Sequence, residues 1–147
     1  MRRIRRILHA TDFSRASTAA LTWAVDMAKA NRARLTVVHV MAPPSLALPG
    51  EGYVSPALYE NLESSARAQA NKRLAKVVAR AKTAGVRANV LLLEGVPHER
   101  IARAARRADL LVIGTHGRSG LAKLFLGSVA SRLVTLAPCP VLTVRGR

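Results

Sequence analysis

The sequence is poor in residues that several kinds of protein require. It holds a single cysteine, Cys139, so no disulfide can form within the chain, and a reducing cytoplasm is the expected setting. That cysteine and 4 scattered histidines show no metal-ligand spacing. Aromatic residues make up only 3%, and they do not interleave with basic residues as a base-stacking platform would need. No apolar run approaches the ~20 residues of a membrane-spanning helix. Arg2, Arg3, Arg5 and Arg6 resemble the start of a secretion signal, but no long apolar stretch and cleavage site follow, so none is expected. Neither G-x-x-x-x-G-K-S/T nor G-x-G-x-x-G occurs, and no nucleophile elbow or Ser-His-Asp order appears, which leaves P-loop, dinucleotide-binding and triad enzymes unsupported. Acidic residues are scarce as well: 8 against 24 Lys and Arg, a net charge of +16.

What the chain does have is apolar material. Half of its 147 residues are hydrophobic, enough for a packed core, and the length suits one domain spanning residues 1–147. Apolar β-prone segments at 4–10, 34–40, 86–93, 109–114 and 140–144 alternate with helix-prone segments at 16–30, 57–84, 97–107 and 127–136. On the longest helix, Leu58, Leu62, Leu74, Val77 and Ala81 are expected inside, with Arg73, Lys76 and Arg80 outside. Gly85 should end that helix, and Pro97 should open the next. Residues 41–56 read as a long proline-rich loop. Strict alternation of strand and helix implies a doubly wound, five-stranded parallel α/β sheet with helices on both faces.

In such sheets ligands bind beyond the C-terminal strand ends, and the chemically interesting residues follow strands. After the fourth strand comes Gly114-Thr115-His116-Gly117, then nine residues, then Gly127-Ser128. Glycines let a backbone approach a ligand without a Cβ, and a helix starting at Gly127-Ser128 favours an anion. The pair of segments reads either as a phosphate cradle or as a tight turn with a Ser cap. Arg118 suits bidentate phosphate contact or simple solvation. His116 can approach the same phosphate or face water. Asp12 and Ser14 follow the first strand and can cap the first helix. His9 and His39 fall inside strands and read as core or interface residues, and Cys139 as a small packed side chain.

The spacing Gly114-x2-Gly117-x9-Gly127-Ser128 resembles the nucleotide-binding signature of the universal stress protein family. The segments 7–14, 95–99 and 138–142 are similar to that family's first strand and Asp-bearing turn, its segment after strand 3, and its closing strand. The resemblance covers essentially the whole chain and points to the ATP-binding branch. It implies strand order 3-2-1-4-5, with Ala10-Thr11-Asp12 beside the nucleotide and Asp12 near ribose, phosphates or a nucleotide-bound Mg²⁺. It further implies adenine against the backbone at Val40, and Gly114, Gly117, Gly127, Ser128 and Val129 around the phosphates. One departure is Ala10, where the family often has proline; that loosens the turn without displacing Asp12. The resemblance also implies a homodimer, formed by antiparallel pairing of the edge strand at Val141, Leu142, Thr143 and Val144.

The expected function is a cytoplasmic, ATP-binding regulator of a stress response. Because no activated catalytic group is visible, hydrolysis should be slow at most. The alternative is a basic module that binds polyanions such as nucleic acid, nonspecifically, through arginine-rich helix faces, with a purely structural glycine loop.

Overall fold

In the computed structural model, which describes residues 3–43, 55–115 and 126–146, strands and helices alternate throughout. They are β1 (Arg6–Ala10), α1 (Arg15–Asn31), β2 (Arg34–Met41), α2 (Pro56–Thr83), β3 (Ala88–Glu94), α3 (Pro97–Ala105), β4 (Leu110–Gly114), α4 (Ser128–Leu136) and β5 (Val141–Val144). The sheet has 5 strands in the order β3-β2-β1-β4-β5, and every pairing is parallel. Most of the expected 41–56 loop lies outside the described residues.

Alternate strand residues feed two cores. Ile7, Leu35, Val37 and Val112 pack with Leu21, Ala24, Leu74 and Ala81, so α1 and α2 cover one face. Leu8, Val38, Val40, Leu111 and Ile113 pack with Ile101, Ala105, Ala130 and Leu133, so α3 and α4 cover the other. Strands buried on both sides need continuous apolar runs, which is why the segments around Val37, Val38, Leu111 and Val112 read so clearly.

Element ends follow local chemistry. Ser14 caps α1 by accepting from the Ser17 N–H, and Ser55 caps α2 by accepting from the Leu58 N–H. At the far end of α2, Gly85 takes φ +84, its N–H bonds Lys82 O at 2.9 Å, and the Val86 N–H bonds Ala81 O at 3.1 Å. That paired closure consumes Val86 and delays β3 to Ala88, two residues later than the sequence suggests. Past Ala105 the N–H groups of Arg106, Arg107 and Ala108 reach back only three residues, so α3 tightens and stops short of Arg107.

The long helix departs from expectation in its first half. Leu58 and Leu62 are 46% and 45% exposed, and burial begins only at Ala70. A helix of 28 residues is about 42 Å long, whereas the 8 residues of β2 span about 26 Å. The N-terminal turns of α2 therefore have no sheet to cover.

Candidate functional site

β1 and β4 are neighbours in the sheet, yet β1 leads to α1 on one face and β4 to α4 on the other. The strand order reverses there, and a cleft opens beyond the two strand ends. Ala10, Thr11 and Asp12 line it from β1, His39 and Val40 from β2, Gly114 and Thr115 from β4, and Gly127, Ser128 and Val129 from the start of α4. Ile101, Ile113 and Leu133 add apolar surface. The cleft volume of about 160 Å³ is roughly ten times the ~10–15 Å³ needed by one water, so it takes a small organic group. Eight expected site residues thus meet in one place: Ala10, Thr11, Asp12, Val40, Gly114, Gly127, Ser128 and Val129. His116, Gly117 and Arg118 lie outside the described residues.

Asp12 sits in a tight turn. Its Oδ1 accepts from the Ser14 N–H at 3.0 Å and from the Ser17 hydroxyl at 2.6 Å, while its own N–H reaches the Ser17 Oγ at 3.2 Å. Burial pushes the carboxyl pKa up, but the hydrogen bonds from Ser14 and Ser17 outweigh it and hold the group below its ordinary value. Asp12 is therefore ionised at neutral pH. Ser14, not Asp12, is the cap of α1, and Asp12 braces the capping turn from outside. Phe13 takes φ 64 in this turn, its N–H bonding the Thr11 hydroxyl at 3.0 Å.

The opposite wall is the start of α4. α1 and α2 have serine caps and α3 has Glu99 in its first turn, whereas α4 has glycine at the cap, no side-chain cap bond and no acid in its first turn. Among the described residues nothing compensates the first N–H groups and positive dipole end of α4 where they meet the cleft. Gly127 has φ −57 and ψ 156, a conformation open to any residue, so no backbone strain requires glycine there.

Gly114 is a different case. A Cβ there would stand 2.7 Å from the carbonyl carbon of Ala16 and 2.9 Å from Ala16 O. This glycine lets the first turn of α1 press against the end of β4, and it borders the cleft as a consequence.

Several lining residues escape sequence reasoning. His39 donates from Nδ1 to Thr11 O at 2.7 Å, and its ring lies 4.5 Å from that of Phe13. Thr115 and Ser17 also line the cleft, both buried. Position directly after a strand end was a usable signal for Thr115; nothing local marks His39 or Ser17. Cys139 packs against the α3–α4 core, and burial pushes its thiol pKa up. Among the described residues no cluster of side chains suits a metal ion by itself, and no helix is long and apolar enough to cross a membrane.

Comparison with known proteins gives one consistent answer. Residues 3–145 match the universal stress protein family. A universal stress protein of Thermus aquaticus is 41% identical over 141 residues, covering 95% of this chain and 97% of its own. Among solved structures, UspA from Lactobacillus plantarum superposes with a TM-score of 0.83 at 28% identity, covering 99% of this chain and 100% of its own. A universal stress protein in complex with cAMP gives a TM-score of 0.74 at 25% identity, covering 99% of this chain and 100% of its own.

Proposed function

The chain belongs to the universal stress protein family, and from that premise we propose that its cleft binds an adenine nucleotide, ATP with Mg²⁺, as the occupancy signal of a stress-response regulator. The observation that carries this reading is the uncapped, glycine-led N-terminus of α4 turned into the cleft, a ready anion site. Gly127, Ser128 and Val129 would hold phosphate through backbone N–H groups, and the backbone at Val40 would meet adenine. The ionised Asp12 would face ribose or the Mg²⁺ that neutralises the phosphates. His116, Gly117 and Arg118 join this proposal from the sequence spacing. The solved relative bound to cAMP supports the choice of adenine.

Binding without rapid turnover fits best, because the Asp12 carboxylate is already engaged by Ser14 and Ser17. Among the described residues β5 has β4 as its one neighbour in the sheet, and its residues 141–143 are half-buried, which supports a homodimer closed by pairing of two β5 strands. The test is calorimetric titration of Gly127→Val with Mg-ATP. The variant should fold and lose binding, because its side chain enters the space the phosphates need. Original affinity in a folded variant defeats the cradle.

A second reading, polyanion attachment, rests on a different surface. Arg3, Arg5, Arg6, Arg32, Arg34 and Arg87 surround a cavity at the opposite end of the strands, with Asp109 its one acid. Arg6 and Arg34 also border a second hollow carrying Arg100, Arg103 and Arg107. Duplex DNA held there would be salt-sensitive, since six to ten phosphate contacts lose about 10³–10⁵ in affinity between 50 and 200 mM salt. DNA binding that survives physiological salt, with no nucleotide affinity, would reverse the order of the two readings.

A further inference from the structure

β3 is the least covered strand of the sheet. None of its residues is buried, Val90 is 43% exposed, and Leu91, Leu92 and Leu93 are only partly covered among the described residues. Strands of a parallel sheet ordinarily lie under helices on both faces. Here α3 turns Ile101 and Ala105 into the core with Leu8 and Val38 of β1 and β2, and β3 lies to its side. A hollow of about 590 Å³ opens between α3 and β3. Asn89, Leu91 and Leu93 of β3 and Thr36 of β2 form its floor. Arg100, Arg103, Ala104 and Arg107, spaced along one side of α3, form its wall. Thr36 donates to Asn89 at 3.0 Å, so the polar end of the floor is satisfied from within, whereas the leucines gain from being covered. From Asn89 to Leu93 the floor runs about 16 Å, the length of roughly three helical turns.

Arginines ring this floor. Arg6 and Arg34 close it at the starts of β1 and β2, and no carboxylate among the described residues lines it, although Arg6 is paired outside it with Asp109. Arg100 is laid across the end of β3, where Gly95 takes φ +127 and a Cβ on it would stand 2.9 Å from the Arg100 Nε. Water solvates these exposed guanidinium groups, so they call for no partner of their own; they decide which partner can approach the leucines. A second copy of the chain would bring the same arginines against themselves, which is costly. Duplex DNA suits the charge, but its sugar-phosphate backbone gains nothing from a leucine floor. A bilayer surface is flat and meets the rim without filling the hollow. The remaining fit is a rod with one apolar side and acidic flanks, and the element that packs on the face of a sheet is a helix.

We propose that the hollow between α3 and β3 is the docking site for an acidic amphipathic helix of a partner protein, its apolar side on Leu91 and Leu93 and its carboxylates against Arg100, Arg103 and Arg107. The docked helix lies beside α3 and supplies the cover that β3 lacks on this face. Recognition of this kind is read from apolar anchors three and four positions apart, with flanking charge selecting the partner. The site is distinct from the nucleotide cleft and does not depend on it. It shares arginines with the DNA reading above, and the leucine floor separates the two.

The probe is a labelled synthetic peptide of about 15 residues, roughly four helical turns, with leucines three and four positions apart and glutamates on both flanks. Fluorescence anisotropy at physiological salt should show saturable binding, at least about tenfold tighter than for a scrambled peptide of the same composition or for the same helix with lysine in place of glutamate. Arg103→Glu and Arg107→Glu, both at exposed positions, should each weaken the peptide by about tenfold. Leu91→Thr should weaken it by a similar factor of about ten and leave any low-salt binding of duplex DNA unchanged. Where that variant does not fold, the methyl resonances of Leu91 and Leu93 in the original protein give the same information, since the peptide should shift them and DNA should not. Gly127→Val should leave peptide binding as it is. Equal affinity for the scrambled peptide, no saturable binding, or methyl shifts of the same size with duplex DNA, with phosphatidylglycerol vesicles or on dilution of the protein alone overturns the proposal.

Discussion

Replacing Gly114 by alanine should loosen the protein at the point where its cleft is assembled. The new methyl group would sit 2.7 Å from the carbonyl carbon of Ala16 and 2.9 Å from Ala16 O, with Ala16 Cβ also at 2.9 Å. Most of this obstruction is backbone, so no side-chain rotation relieves it, and either the first turn of α1 or the end of β4 must move. Overpacking of this kind costs about 1–3 kcal/mol. Alanine regains about 0.5–1 kcal/mol by restricting the unfolded chain, leaving a net loss of roughly 1–2 kcal/mol. At about 2–4 °C per kcal/mol in a chain this size, the melting temperature should fall by about 2–8 °C. Nucleotide affinity should fall with it, because the displaced turn carries Ser17, whose hydroxyl holds Asp12 at 2.6 Å. Gly127→Ala is the matched control. Its backbone suits alanine, so its stability should change by less than about 1 kcal/mol while nucleotide affinity drops. Thermal melts followed by Mg-ATP titration of both variants decide the matter. A Gly114→Ala protein as stable as the original would refute the close-approach argument.

Three further outcomes follow from other parts of the molecule. Burial lowers the pKa of His9 from 6.5 to about 4, so the unfolded chain takes the proton first. Stability on this account is full above pH 6.5 and falls by roughly 3 kcal/mol toward pH 4, to be read from urea unfolding; a flat profile would contradict a buried neutral ring. At Asp109 the hydrogen bond from Arg6, aided by the N–H groups of Arg5 and Arg6, holds the carboxyl at about 2, so its contribution is present above pH 4 and disappears as pH falls through 2. Because the pair is largely solvated, Asp109→Asn should cost at most about 1 kcal/mol at pH 7 and less than half of that at pH 2, measured by melting at both values. Finally, Leu142→Asp on the sheet edge should yield monomers in light scattering, and an original protein that is monomeric at high micromolar concentration would remove the dimer.

The alternation of strand and helix was plain in the sequence because each buried strand is a short apolar run and each helix carries its own punctuation at Ser14, Gly85 or Pro97. Gly127 and Ser128 were readable for the same local reason, since a helix start is written in adjacent residues. Other features were not local. Leu58 and Leu62 have the periodicity of a buried stripe, yet burial also needs an opposing surface, and whether the sheet extends that far depends on strand lengths elsewhere. Gly114 reads as a place for a ligand to approach, whereas the atoms that forbid a side chain there belong to Ala16, almost a hundred positions earlier. His39 enters the cleft through Thr11 and Phe13, partners that only the pairing of β1 with β2 brings near. Such contacts between distant segments leave no mark in any short window of sequence.

The two halves of α2 imply unequal lifetimes along one uninterrupted helix. From Ala70 onward the helix is anchored by buried Leu74, Val78 and Ala81, while before it only Tyr59 and Glu63 are even partly covered. A short solvent-surrounded helix is marginal in water, so the leading turns are stabilised chiefly by the Ser55 cap and by continuity with the turns behind them. Amide hydrogens of residues 59–69 should therefore exchange with solvent far sooner than those of 74–83, in a gradient with its step near Ala70. A trypsin-like protease should find Arg67 well before Arg80, so limited digestion would clip the free turns and spare the anchored ones. The helix thus fails from one end, and each turn waits on the one before it.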